Sequence, residues 1–221
     1  MILIDLFAIN TRRDADSTPS IWKSFVARMR GPGGYYNIGN AVGLVTGLVL
    51  AISIQGSVGL AVHQFLMGSY SALALTLATV IFMFSGEAYH HAWAGGFPPI
   101  KYFNFKGDLL SGFGALVLGV GLLMLGQPVL AATSGHLHAA GKFGSAFHKP
   151  QNDAAFDWCY FFRQIVLASR APAMLAAVIE VWRLVGAGAG TASLITPLSL
   201  LLCYCLWAKA DWMLFPKRVG E

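Results

Sequence analysis

Glu87, His90 and His91 stand at i, i+3 and i+4 in the stretch Ser85-Gly86-Glu87-Ala88-Tyr89-His90-His91, so on a helix one face presents a carboxylate and two imidazoles. Asp108 opens the next apolar run and can add an oxygen ligand at the same depth. A zinc, iron or manganese site needs three or more such groups, and Glu87, His90, His91 and Asp108 form the metal-site candidate. The same residues can equally be a solvated helix end, with Glu87 paired to Lys101, Lys106 or Arg183. Glu-x-x-His occurs here once, where a di-iron bundle uses it twice.

A second group comprises His63, His136 and His138, with His148, Asp153 and Asp157 nearby in sequence. His136-Leu137-His138 has the two-residue spacing of an extended chelating segment. A haem b would need one inward-facing histidine from each of two helices; a transition metal would need less. These three histidines are the cofactor-binding candidates, against the alternative of solvated loop side chains.

The third feature is Arg170, near the middle of an apolar stretch. A central arginine is costly in lipid and faces an acid or a water path. Glu180 lies ten residues on, nearly three turns away, and cannot reach it along one helix. Glu180 can pair locally with Arg183 at i, i+3. Arg170 therefore calls for a partner on another helix, a lipid phosphate or water, and Pro172 loosens the turn beside it. Arg170 and Glu180, with Glu87, are the transport-path candidates. The sequence has no P-loop, GxGxxG, HExxH or GxSxG, so no catalytic residue is assigned and the chain reads as non-enzymatic. Cys159, Cys203 and Cys205 form no CxxC pair and read as small buried hydrophobes.

The composition decides what must hold these residues. Of 221 residues, 56% are hydrophobic and 11% charged, with mean hydropathy +0.61; soluble domains carry roughly 25% charged residues. A soluble enzyme, a disordered tail, a disulfide scaffold and a nucleic-acid binder are all excluded by these figures. The net charge of +5 fits the cytoplasmic side of a membrane and its anionic lipid. The expected fold is all-α, a polytopic transmembrane helical bundle.

Between Ile38 and Gly86 there is no Asp, Glu, Lys or Arg, which suits two crossings of about 20 residues each. Spans are expected at 36–55, 66–90, 109–134, 158–186 and 191–208. The segment 158–186 carries Arg163, Arg170, Glu180 and Arg183, and it sets hydropathy against charge. Five spans follow from hydropathy. They leave Lys209, Lys217 and Arg218 on the outer side if the arm bearing Arg12, Arg13, Lys23, Arg28 and Arg30 is cytoplasmic. Four spans follow from the preference of basic residues for the cytoplasm. Five is the expectation taken forward.

Residues 1–34 read as a cytoplasmic arm with a basic amphipathic helix after Thr18-Pro19, in the plane of the interface. Residues 35–209 form the bundle, with a histidine-containing loop at 135–157, and 210–221 a short basic tail. Gly39, Gly43 and Gly47 share one face, and Gly119 extends the pattern in the third span, as close helix packing in lipid requires. The first functional expectation is a non-catalytic subunit of the bacterial inner membrane, packing with lipid and with partner membrane proteins or itself. The alternatives are a histidine-ligated haem or metal redox protein, and a carrier of a small solute or ion.

Overall fold

The computed structural model describes residues 31–55, 70–95, 99–124, 126–149 and 156–215, together with positions 26 and 29. Every regular element among them is helical. These are α1 (Pro32–Gln55), α2 (Tyr70–Trp93), α3 (Lys101–Met124), α4 (Pro128–Leu130), a π-helix (Ala131–Leu137), α5 (His138–Phe147), α6 (Trp158–Ala168), α7 (Ala171–Gly186) and α8 (Thr191–Met213). Four stretches are long and apolar enough to cross a membrane: Leu73–Trp93, Lys101–Met124, Trp158–Gly186 and Thr191–Met213. The chain is a multi-pass membrane protein.

α4, the π-helix and α5 run on without a break, as do α6 and α7 apart from a turn at Ser169-Arg170. The described helices therefore form six rods. Neighbouring rods are antiparallel, as their paired residues show. Tyr36 at the start of α1 stacks on Tyr89 near the end of α2, with ring centroids 5.0 Å apart. Gly107 accepts a hydrogen bond from Ser85, while Gly121 lies beside Leu75. Gly112 abuts Phe143 and Gly119 abuts His136, so α3 and the rod after it run in opposite directions. Gly141 meets Val166 as His138 meets Ser169, and α8 returns along α1 with Cys203 against Gly43. The described chain thus enters at Pro32 and leaves at Met213 on the same face of the bundle, which we call the basal face.

Both tight turns at the opposite face use glycine in the left-handed region, Gly126 (φ 68°) and Gly188 (φ 66°), where a side chain would be strained. Each closes its preceding helix by the same pair of bonds. Gly126 and Gln127 donate to Leu123 and Leu122; Gly188 and Ala189 donate to Val185 and Leu184. On the basal face Asp157 caps α6, accepting from the Tyr160 amide at 3.0 Å. Pro172, in the first turn of α7, can supply no amide hydrogen, and the rod breaks just before it.

Three expectations are corrected. The third span stops at Met124, because Gly126 turns the chain there. The loop expected at 135–157 is helical as far as Phe147. This helix is rich in Ala, Gly and Ser and buries its polar side chains in the protein, so it has no lipid-facing apolar run by which to be recognised. The tail expected from 210 begins later, since α8 continues to Met213 and buries Asp211. The amphipathic helix expected before residue 31, and the Lys217-Arg218 pair, lie outside the described residues, as does His63.

Candidate functional site: a buried charged centre

Seven charged or titratable side chains, drawn from all six rods, meet inside the bundle. Arg163 and Arg170 are seven residues apart, two helical turns, which returns them to one face of their rod. Arg163 grips Asp108 of α3 with both terminal nitrogens, at 2.8 and 2.6 Å. Arg170 donates from Nε to Asp211 of α8 at 3.0 Å. Between these pairs stands Lys142 of α5, whose Nζ is 2.8 Å from Asp211 and 3.8 Å from Asp108. Its side chain is fully buried, and both aspartates are at most 1% exposed.

Two tyrosines complete the arrangement. Lys142 donates to the Tyr36 hydroxyl at 2.7 Å and to the Tyr89 hydroxyl at 3.1 Å. Tyr36 in turn donates to Asp211, and Tyr89 donates to Asp108 at 2.5 Å. The centre is therefore two Tyr–Asp–Arg triads, Tyr36–Asp211–Arg170 and Tyr89–Asp108–Arg163, joined through one lysine. Nζ also lies 5.1 Å from the centroid of each tyrosine ring, close enough for the ring faces to stabilise a cation.

His138 takes a further hydrogen bond from Arg170, and its protonation follows from its neighbours. Arginine only donates hydrogen bonds, so the 3.0 Å contact from Arg170 Nη2 makes His138 Nε2 an acceptor. Nδ1 then carries the hydrogen and donates to Ser169 Oγ at 2.9 Å, while Ser169 donates to the Val166 carbonyl. The imidazole is neutral. Arg170 also lies 4.9 Å from the Trp207 ring centroid, and Trp207 donates to Asn40 at 3.0 Å.

Counting charges gives the centre its character. Arg163, Arg170 and Lys142 are three potential cations; Asp108 and Asp211 are two carboxylates. Each aspartate already has its own arginine. Burying an ion costs several kcal/mol unless another charge compensates it, so the proton on Lys142 is the one whose charge has no counterpart.

The sequence candidates separate into those the structure brings here and those it does not. Of the three options open to Arg170, another helix, a lipid phosphate or water, the structure shows the first, and the partner is Asp211. Asp108 belongs to the same centre, where Arg163 holds it. Glu87 instead accepts from Asn37 at 2.7 Å, and His91 packs on Phe103 while His90 packs on His91. No three His, Cys, Asp or Glu side chains converge as a metal site among the described residues. His136 and His138 part company because their backbone is helical, not extended. His136 is exposed and bonds the Ala131 carbonyl of its own helix, whereas His138 is buried. Glu180 stays on the surface in a two-bond pair with Arg183, as its spacing suggested, and is remote from Arg170 in the chain. Gly39 packs on Trp207, Gly43 on Cys203, and Gly119 on His136 and Gly135. Gly47 lies on α1.

Lys142, Arg163, Asp211, Tyr36 and Tyr89 were not singled out from the sequence. The seven-residue spacing of Arg163 and Arg170 was the available signal, together with two aspartates placed near the basal ends of apolar helices. Comparison with protein-family models, curated proteins and solved structures finds no match.

Proposed function

We propose that this protein is a membrane carrier of a small ion or solute, working through the centre built on Lys142, Asp211, Arg170, Asp108 and Arg163. The observation that carries this reading is the buried charge itself. Ionisable side chains inside a membrane bundle are costly and mark ion or substrate paths. A protein whose task was only to pack would be served as well by apolar residues of similar volume, which often replace buried ion pairs without loss of stability. The glycine faces also favour this reading over that of a docking subunit. Gly39, Gly43 and Gly119 are occupied within the chain by Trp207, Cys203 and His136.

The basal face is the cytoplasmic one on this reading. Lys101, Lys106, Lys149 and Lys209 lie towards it, whereas the opposite end carries Arg183, already paired with Glu180. Six antiparallel rods return Lys209 and the end of α8 to the side of Pro32. The conflict between hydropathy and basic-residue placement then disappears.

Purified protein in liposomes, with pH-, sodium-, potassium- and chloride-sensitive dyes inside, tests the reading. Wild type is expected to dissipate at least one gradient faster than empty vesicles. Arg170→Gln is expected to lose that flux while remaining folded, because Lys142 still neutralises Asp211. Flux at the empty-vesicle level for wild type across all four ions, or full flux in Arg170→Gln, would overturn it.

A further inference from the structure

Resting on the carrier reading and deepening it, we infer that the coupled ion is the proton and that Lys142 is its binding site. The groups facing Nζ come from every rod packed around it. They are Tyr36 of α1, Tyr89 of α2, Asp108 of α3, Arg163 and Arg170 of the α6–α7 rod and Asp211 of α8, with neutral His138 one turn away on α5 itself. Of these, the arginines cannot give up a proton in a protein. Each aspartate is gripped by its arginine at 2.6–3.0 Å and takes a hydroxyl hydrogen from its tyrosine. Lys142 alone can change charge without leaving an arginine or an aspartate unpaired. With its proton the centre has one positive charge in excess; without it the two carboxylates and two guanidiniums balance.

The step is a simple one. An N–H bond of the Lys142 ammonium breaks, and the proton passes to a water molecule that reaches the centre during transport, forming hydronium. The electron pair of that bond stays on Nζ, giving the neutral amine. Asp108 and Asp211 remain carboxylates throughout, each beside its arginine. The amine is accommodated because either Tyr36 or Tyr89 can turn its hydroxyl hydrogen to the single lone pair of Nζ, as hydroxyls both donate and accept. Reprotonation reverses each bond change, and no oxidant or further reactant takes part.

Two measurements separate this inference from the reading beneath it. In full-length protein labelled at lysine Nζ with nitrogen-15, one lysine resonance is expected to pass between ammonium and amine at a pH where the rest remain ammonium. That resonance should vanish in Lys142→Arg and in Lys142→Met, so failure of either variant to fold leaves the other. In liposomes, the wild type should discharge a pH gradient, and both variants should fall to the empty-vesicle rate. If every lysine resonance stays ammonium up to pH 10, or if the variants discharge the gradient like wild type, the inference fails while the carrier reading stands. Wild-type flux that follows chloride and ignores pH has the same meaning. A wild type that moves no ion overturns both.

Discussion

Lys142 and Asp211 are 2.8 Å apart and equally buried, yet their removal should have opposite costs. Asp211 answers two cations, Lys142 and Arg170, and Asp108 answers Arg163 with Lys142 nearby. Asp211→Asn or Asp108→Asn strands buried positive charge, which costs about 3–5 kcal/mol. Lys142→Met removes the surplus charge and fills the space with a side chain of similar length, so it should cost far less and can even stabilise. Thermal unfolding of the detergent-purified variants, followed by tryptophan fluorescence, checks the order. A Lys142→Met protein less stable than Asp211→Asn would contradict the charge count. At this scale the sequence was half legible. Arg170 announced its need for an acid, a lipid phosphate or water, because an arginine in an apolar run is costly without one. Asp211 escaped notice because it follows Lys209 and Ala210 near the chain end, where an acid reads as solvated. Lys142 escaped because Gly141 and Lys142 together resemble a loop.

Among the elements, the long apolar helices α1, α2, α3 and α8 were readable from their charge-free runs, and the α6–α7 rod from its length. The rod from Pro128 to Phe147 was not. Hydropathy detects a helix by its lipid-facing surface, and this one spends its surface on neighbours: Ala131, Ser134, Gly135, His138, Ala139, Gly141, Lys142 and Ser145 are all buried. Its close approach to α3 rests on glycine. A methyl added at Gly135 would come within 2.5 Å of the Gly119 Cα and 3.0 Å of its nitrogen. Those are backbone atoms that cannot swing aside. Gly135→Ala should therefore destabilise the bundle by roughly 1–3 kcal/mol. Gly186→Ala, within α7 and with nothing inside 4 Å, should be close to neutral. Comparing the melting temperatures of the two purified variants tests the difference, and equal losses would mean that the α3 contact does not limit packing.

For the molecule as a whole, the direction of each rod makes a topological prediction. Lys101→Cys and Lys209→Cys should react with a membrane-impermeant maleimide from the same side of sealed vesicles, and Gly190→Cys from the other. Labelling of Lys101→Cys and Lys209→Cys from opposite sides would remove one rod from the crossing set, most directly the one between Pro128 and Phe147. The return of the described chain to the face where it started has a consequence for larger assemblies. Two copies of the stretch from Pro32 to Met213, joined by a linker that stays on the basal face, would insert the same way up. Had the rods been odd in number, the second copy would have stood inverted, its lysine centre facing the opposite compartment.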